Sequence, residues 1–148
     1  MIILNLFCNL KIFILASLVP IILVLIFGDS MYVGLWYYIL IPVVGGIIVS
    51  PLQPSSSFFS GMGIAIALTY MPFLISNWVS DMPEGFILFW HLFSFPGIIL
   101  GLLSGAFFCK RTNRRGKTEF LIGFSSVMAG FLLSLLVIIL IGLARVYS

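Results

Sequence analysis

Five apolar runs, joined by connections of ten residues or fewer, constrain this chain more than any other feature. The runs are Ile12 to Phe27, Tyr32 to Val49, Phe58 to Val79, Phe86 to Cys109 and Phe120 to Ala144. A helix that crosses a bilayer needs about 20 apolar residues, within a range of about 17–25. The last three runs meet that length, and the first two approach it. The joints "GDSM", "SPLQPSSS", "SDMPEG" and "KRTNRRGKTE" are too short to form a domain outside the membrane. The chain therefore reads as all-α: one polytopic transmembrane bundle of about five spanning helices over residues 1–148. The first two runs could also form a re-entrant hairpin. Two full spans are favoured, because irregular backbone facing lipid leaves its polar groups unsatisfied.

Composition agrees. Charged residues make up 7% of the 148 residues and hydrophobic residues 62%, whereas a soluble domain carries about 25% charge. A lipid bilayer is the expected surrounding, and no nucleic-acid partner is expected from a net charge of +3 concentrated in one loop. His91 is the only histidine, and Cys8 and Cys109 match no metal spacing, so no metal or cofactor is expected. Lys11 and the run after it resemble the start of a signal peptide. With no A-x-A site following, an uncleaved first helix is the expectation.

Orientation follows from the basic loop. Lys110, Arg111, Arg114, Arg115 and Lys117 lie between the fourth and fifth runs, and basic loops remain cytoplasmic. Counting spans places the N-terminus inside and the C-terminus outside. Lys11 then falls inside, and Asp29, Asp81 and Glu84 fall outside. Trp36, Trp78 and Trp90 gather toward the outer surface with Tyr32, Tyr37, Tyr38 and Tyr147, as an aromatic belt would. An inner belt of Phe58, Phe59, Phe107, Phe108 and Phe120 is expected opposite. Short loops and an uncleaved start suit a bacterial inner membrane.

Glycines carry the clearest pattern. Gly97, Gly101 and Gly105 are four apart, and four residues advance a helix by about 400°, so the three form one stripe. Lipid tails are as apolar as leucine, so helices associate in a bilayer through close packing at small residues. Ser126, Gly130 and Ser134 form a similar stripe, and Gly61 with Ala65 and Gly63 with Ala67 offer small faces on the third run. The fourth and fifth helices are expected to pack through these stripes, with a helix of another chain as the competing partner. Pro20, Pro42, Pro72 and Pro96 interrupt the first four runs. Each frees a carbonyl four residues earlier, and Ser17, Thr69 and Ser94 stand close enough to help satisfy those groups.

No ionisable residue is expected at mid-depth, where such groups are costly and usually functional. Glu119 is expected at the inner end of the fifth helix, pairing with Lys117 or Arg115 behind a Thr118 cap. At the outer surface, Asp29, Trp36, Asn77, Trp78, Asp81, Glu84, Trp90 and His91 form a candidate site, and an acid–histidine pair there could be catalytic or bind a cation. The expected function is non-enzymatic. The protein would present helix faces to another membrane protein or a second copy, as an accessory subunit or an immunity protein against a membrane-inserting toxin. A small oligomeric channel or transporter is the alternative, and a membrane enzyme with an outer-surface site is the third reading. The orientation is open to direct test. With Cys8 and Cys109 replaced by serine, an impermeant thiol reagent applied to intact cells should label Asp81→Cys and spare Asn113→Cys; the reverse pattern would overturn it.

Overall fold

The computed structural model describes the backbone of residues 2–27, 35–79, 86–112 and 116–146, and side chains at 11–26, 37–76, 79, 91–112 and 116–144. Every regular element among them is helical: α1 (Ile2–Phe27), α2 (Leu35–Val49), a short 3-10 turn (Ser50–Leu52), α3 (Ser56–Val79), α4 (Phe86–Thr112) and α5 (Lys117–Val146). Among the described residues, three stretches are long and apolar enough to cross a membrane: Ser56–Ser76, His91–Thr112 and Lys117–Ala144. The chain is a membrane protein built as a helical bundle. The apolar stretches of α1 and α2 are shorter, Lys11–Ile26 and Tyr37–Leu52.

The ends of the helices follow local chemistry. Pro51 stops α2 in a 3-10 turn that closes at Gln53, whose φ of 55° ends the turn in the left-handed region. Gly116, at φ 70°, takes the same region before α5. α4 continues past Cys109 to Thr112, so Lys110 and Arg111 are helical and complement the negative end of the α4 dipole. Lys117 opens α5, which places Thr118 inside the helix rather than at its cap.

Packing runs from helix to helix through glycines. A Cβ built on Gly101 would collide with the Ser126 carbonyl oxygen, and one on Gly105 would lie 2.6 Å from Ser126 Oγ. A Cβ on Gly97 would collide with Ser134 Oγ and the Gly130 carbonyl, and one on Gly130 would collide with the Gly97 carbonyl. The two stripes thus face one another, with α4 and α5 in backbone contact. On α3, Gly61 lies against the Phe120 carbonyl and Phe124 nitrogen of α5, and Gly123 of α5 lies against Phe58 of α3. Gly63 lies two residues on and about 200° around the helix from Gly61. It meets Phe13 of α1 instead, with the Phe13 Cα and carbonyl each 3.2 Å from where a Cβ would be. The close contacts therefore link α1 to α3, α3 to α5 and α5 to α4.

α2 is seated differently. At its C-terminal half, a Cβ on Gly45 would lie 3.1 Å from Leu102 Cδ1 and 3.3 Å from Met62 Cε, and Val49 is fully buried. Between α1 and α2 an apolar groove of about 170 Å³ remains open, lined by residues that include Phe13, Ser17, Ile39 and Pro42. The core holds Tyr38, Ile41, Phe58, Met62, Ile66, Tyr70, Ile98, Leu102 and Val127, all buried. Tyr37 and Tyr38 are core residues, not members of a surface belt, and so is Phe58; Phe107 and Phe108 are exposed.

These contacts set a clear expectation for stability. Gly101→Ile and Gly130→Ile push a branched side chain against backbone that cannot turn away. Their cost should reach or exceed the top of the ~1–3 kcal/mol usual for overpacking. Gly142, with nothing within 4 Å, is the control. Gly142→Ile should stay within about 0.5 kcal/mol of the parent. Thermal unfolding of the three variants in the same detergent checks both expectations, and equal melting points would contradict the packing described.

Candidate functional site

The polar centre of the bundle forms around one side chain. His91 lies in the second turn of α4 and is fully buried. Its Nδ1 is 2.5 Å from the Tyr37 hydroxyl of α2, and its Nε2 is 2.9 Å from Thr69 Oγ1 of α3. Thr69 Oγ1 also donates to the Ile66 carbonyl at 2.7 Å. A threonine hydroxyl has one proton, and a carbonyl can only accept. Thr69 must therefore accept from His91, which places the imidazole proton on Nε2. Nδ1 then accepts from Tyr37. The result is a directed chain, Tyr37 to His91 to Thr69 to the Ile66 carbonyl, that ties α2, α4 and α3 together at one level.

Aromatic rings enclose the chain. Tyr70 stacks on His91 with centroids 4.4 Å apart and planes at 24°. Phe73 meets the imidazole edge-on at 5.2 Å, and Phe131 of α5 tilts against it at 5.9 Å. Tyr38 packs on Tyr70 at 4.8 Å. Ser94, one turn after His91, donates to the His91 carbonyl at 2.6 Å. Both imidazole nitrogens are thus satisfied, as a buried polar group requires. The exception nearby is the Tyr70 hydroxyl, which is buried without a hydrogen-bond partner.

The prolines shape this region less directly than their spacing implies. The carbonyls freed by Pro20, Pro72 and Pro96 belong to Ala16, Leu68 and Leu92. Ser17 donates instead to Phe13, Thr69 to Ile66 and Ser94 to His91. A hydroxyl on a helix reaches the carbonyl three or four residues back, which puts the carbonyls of its nearer neighbours out of range.

Of the outer-surface candidates, His91 alone has a described side chain, and it faces tyrosine and threonine within the bundle. Asp29, Asp81 and Glu84 lie outside the described residues, as do the side chains of Trp36, Asn77, Trp78 and Trp90. In the basic loop, Lys110, Arg111 and Lys117 are exposed, while Arg114 and Arg115 lie outside the described residues. Glu119 is buried and its Oε2 has no hydrogen-bond partner, so that oxygen is not paired with Lys117. Gly97, Gly101, Gly105, Ser126, Gly130 and Ser134 are brought together between α4 and α5. No group of three or more potential metal ligands occurs among the described residues.

Sequence reading missed Tyr37, Thr69 and Tyr70 as partners of His91. The separations of 54 and 22 residues carry no local signature. The only cue was that each lies within an apolar run and is polar at its tip.

Chemically, the arrangement is a bridge rather than a relay. A proton entering at Tyr37 would reach Ile66 and stop, since a backbone carbonyl passes nothing on. The expected energetics follow. His91→Phe removes the centre of the chain and leaves the Tyr37 hydroxyl without its acceptor, at a cost of about 1–3 kcal/mol. Adding Tyr37→Phe removes the stranded hydroxyl and should recover part of that loss. A double-mutant cycle on thermal unfolding checks it, and strictly additive losses would mean that the two groups do not interact. Compared with known protein families, with characterised proteins and with solved structures, the chain matches none.

Proposed function

We propose that the protein is a non-enzymatic component of a bacterial inner membrane. It spans the bilayer five times with its N-terminus inside, and acts by laying a helix face against another membrane component. It would serve as an accessory subunit or in an immunity role. The observation that carries this reading is the C-terminal half of α5. Leu132, Leu133, Leu136, Val137, Ile139, Leu140, Ile141 and Leu143 are each between 49% and 63% exposed. On a helix these residues cover roughly 200° of the circumference, while Leu135 and Ile138 on the remaining side are half-buried, so one broad apolar face of this half of α5 is uncovered among the described residues. The glycine stripe of α4 is already covered by α5 and is not the surface offered.

Lipid also covers apolar helices, and the test separates the two. A photoreactive residue placed in turn at Leu132, Leu133, Leu136, Val137, Ile139 and Leu140 in native membranes reports what touches each position. A docked helix should give protein adducts at positions three or four apart and none between them, following the helical repeat. A flat profile of lipid adducts would overturn the reading.

A small channel or transporter is the second reading. The buried Tyr37–His91–Thr69 chain favours it, because polar side chains within a membrane bundle often mark a transported species' route. Purified protein in liposomes should show no ion flux above protein-free vesicles under the first reading. Flux that is abolished by His91→Phe would move the assignment to the second.

A further inference from the structure

We propose that the bundle holds the headgroup of an anionic phospholipid at the end where α3 and α5 begin. The seat is an open hollow of about 450 Å³ lined by Ser57, Gly116, Lys117, Phe120 and Leu121. This goes beyond the partner-binding role and does not depend on it.

The hollow follows from how the two helices meet. Gly61 of α3 sits on Phe120 of α5, and Gly123 of α5 sits on Phe58 of α3. Gly61 lies five residues after Ser56, the first of α3, and Phe120 three after Lys117, the first of α5. The crossing is therefore close to both helix starts, and Ser57 and Lys117 share the space beside it. Gly116 contributes no side chain to fill that space. At about 30 Å³ per water, the hollow has room for about fifteen waters, which is the scale of a headgroup rather than of a single ion.

Its walls pair a cation with apolar surface. Lys117 is exposed on one side, and Leu121, 61% exposed, continues along α5 on the other. No carboxylate lines the hollow. Glu119 is the one acidic side chain among the described residues, and it is buried. It lies two residues and about 200° around α5 from Lys117. A glutamate at the third helical position can turn back to cap the helix start. Glu119 instead faces inward, with Oε2 lacking any hydrogen-bond partner. The start of α5, preceded by a glycine, is thus left without an acid of its own on the side of the hollow. Lys110 and Arg111 are exposed at the end of α4 that leads to this same start. The charge of the whole region suits an anion.

The anion is one that belongs to a lipid. Ser56 and Lys117 each begin a stretch long and apolar enough to cross a membrane. A hollow at two such starts lies at the depth of the headgroups. A lipid phosphate there meets the Lys117 ammonium while its acyl chains run down past Leu121. Free phosphate gains only the first of these contacts.

Native mass spectrometry of the purified protein, mixed with equal amounts of phosphatidylglycerol and phosphatidylcholine of matched chains, reads the preference directly. One phosphatidylglycerol should be retained over phosphatidylcholine. Lys117→Gln should lower that preference about fivefold, the factor that about 1 kcal/mol per cation at an anionic surface corresponds to. Lys110→Gln, which alters a residue outside the hollow, should leave it nearly unchanged. No preference in the unaltered protein, or none lost in Lys117→Gln, would overturn the site. Equal losses in the two variants would overturn it as well, since they would mean diffuse attraction to the basic loop. Excess inorganic phosphate should fail to displace the bound lipid. Displacement would show that the hollow takes the free anion, and the lipid assignment would fall.

Discussion

Helices dissolved in lipid gain little by touching one another through leucine, because a lipid tail offers the same surface. Association then depends on contacts that lipid cannot imitate, and this bundle uses two. The first is backbone approach at glycine. In the contacts of Gly61, Gly97, Gly101, Gly123 and Gly130, the atom opposite is a backbone carbonyl oxygen on the neighbouring helix. Each carbonyl thus faces a Cα–H, an arrangement worth about 0.5–1 kcal/mol per contact. Gly97 and Gly130 do this reciprocally, each against the other's carbonyl. The second is the hydrogen bond, used where α2 joins through Tyr37 and His91. Four helices are joined by the first kind of contact, and one end of the fifth by the second.

This division explains why much of the fold was legible and much of the polar centre was not. Glycines at a spacing of four announce a helix face by themselves, since nothing else in an apolar run accounts for repeated poor helix formers. That let Gly97, Gly101 and Gly105 be matched to Ser126, Gly130 and Ser134 from sequence. Gly61 and Gly63 could be identified as small faces, but not assigned to different neighbours. That assignment turns on how α1 and α5 flank α3, which no local pattern records. The tyrosines were harder. A ring with a hydroxyl suits a membrane interface and a buried hydrogen bond equally well. Tyr37 and Tyr38, near tryptophans and near a helix start, read as belt residues, yet both are core. What distinguishes the two cases is a partner on another helix, and the partner here, His91, is 54 residues away.

His91 itself shows how an interior polar group is accommodated. A lone imidazole presents one donor and one acceptor when neutral. It is satisfied by a hydroxyl that donates and a hydroxyl that accepts, supplied by two different helices. No carboxylate is among its described neighbours, so the bridge adds no ionic group to the interior. Tyr70 stacks on the ring, and Phe73 and Phe131 pack against it at steeper angles. The site is filled by the protein's own side chains, which suits a fastening between helices better than a cleft for a substrate.

α5 carries the same logic along its length. Its first half, from Glu119 to Ser134, holds nearly all its small residues, and these meet α3 at Gly123 and α4 at Ser126, Gly130 and Ser134. After Ser134 the sequence becomes leucine, isoleucine and valine, and packing narrows to one side: Leu135 and Ile138 are half-buried while Leu136, Val137, Ile139, Leu140 and Ile141 are exposed. Gly142, the one glycine in that half, faces open space. At 30 residues the helix is about 45 Å long, well beyond a hydrocarbon layer of about 30 Å. Its apolar run from Phe120 to Ala144 is about 38 Å long by the same rise, long enough to cross that layer with some tilt. The distribution of small residues along α5 thus matches where its backbone contacts end, and the broad apolar face beyond them is left to lipid or to a partner.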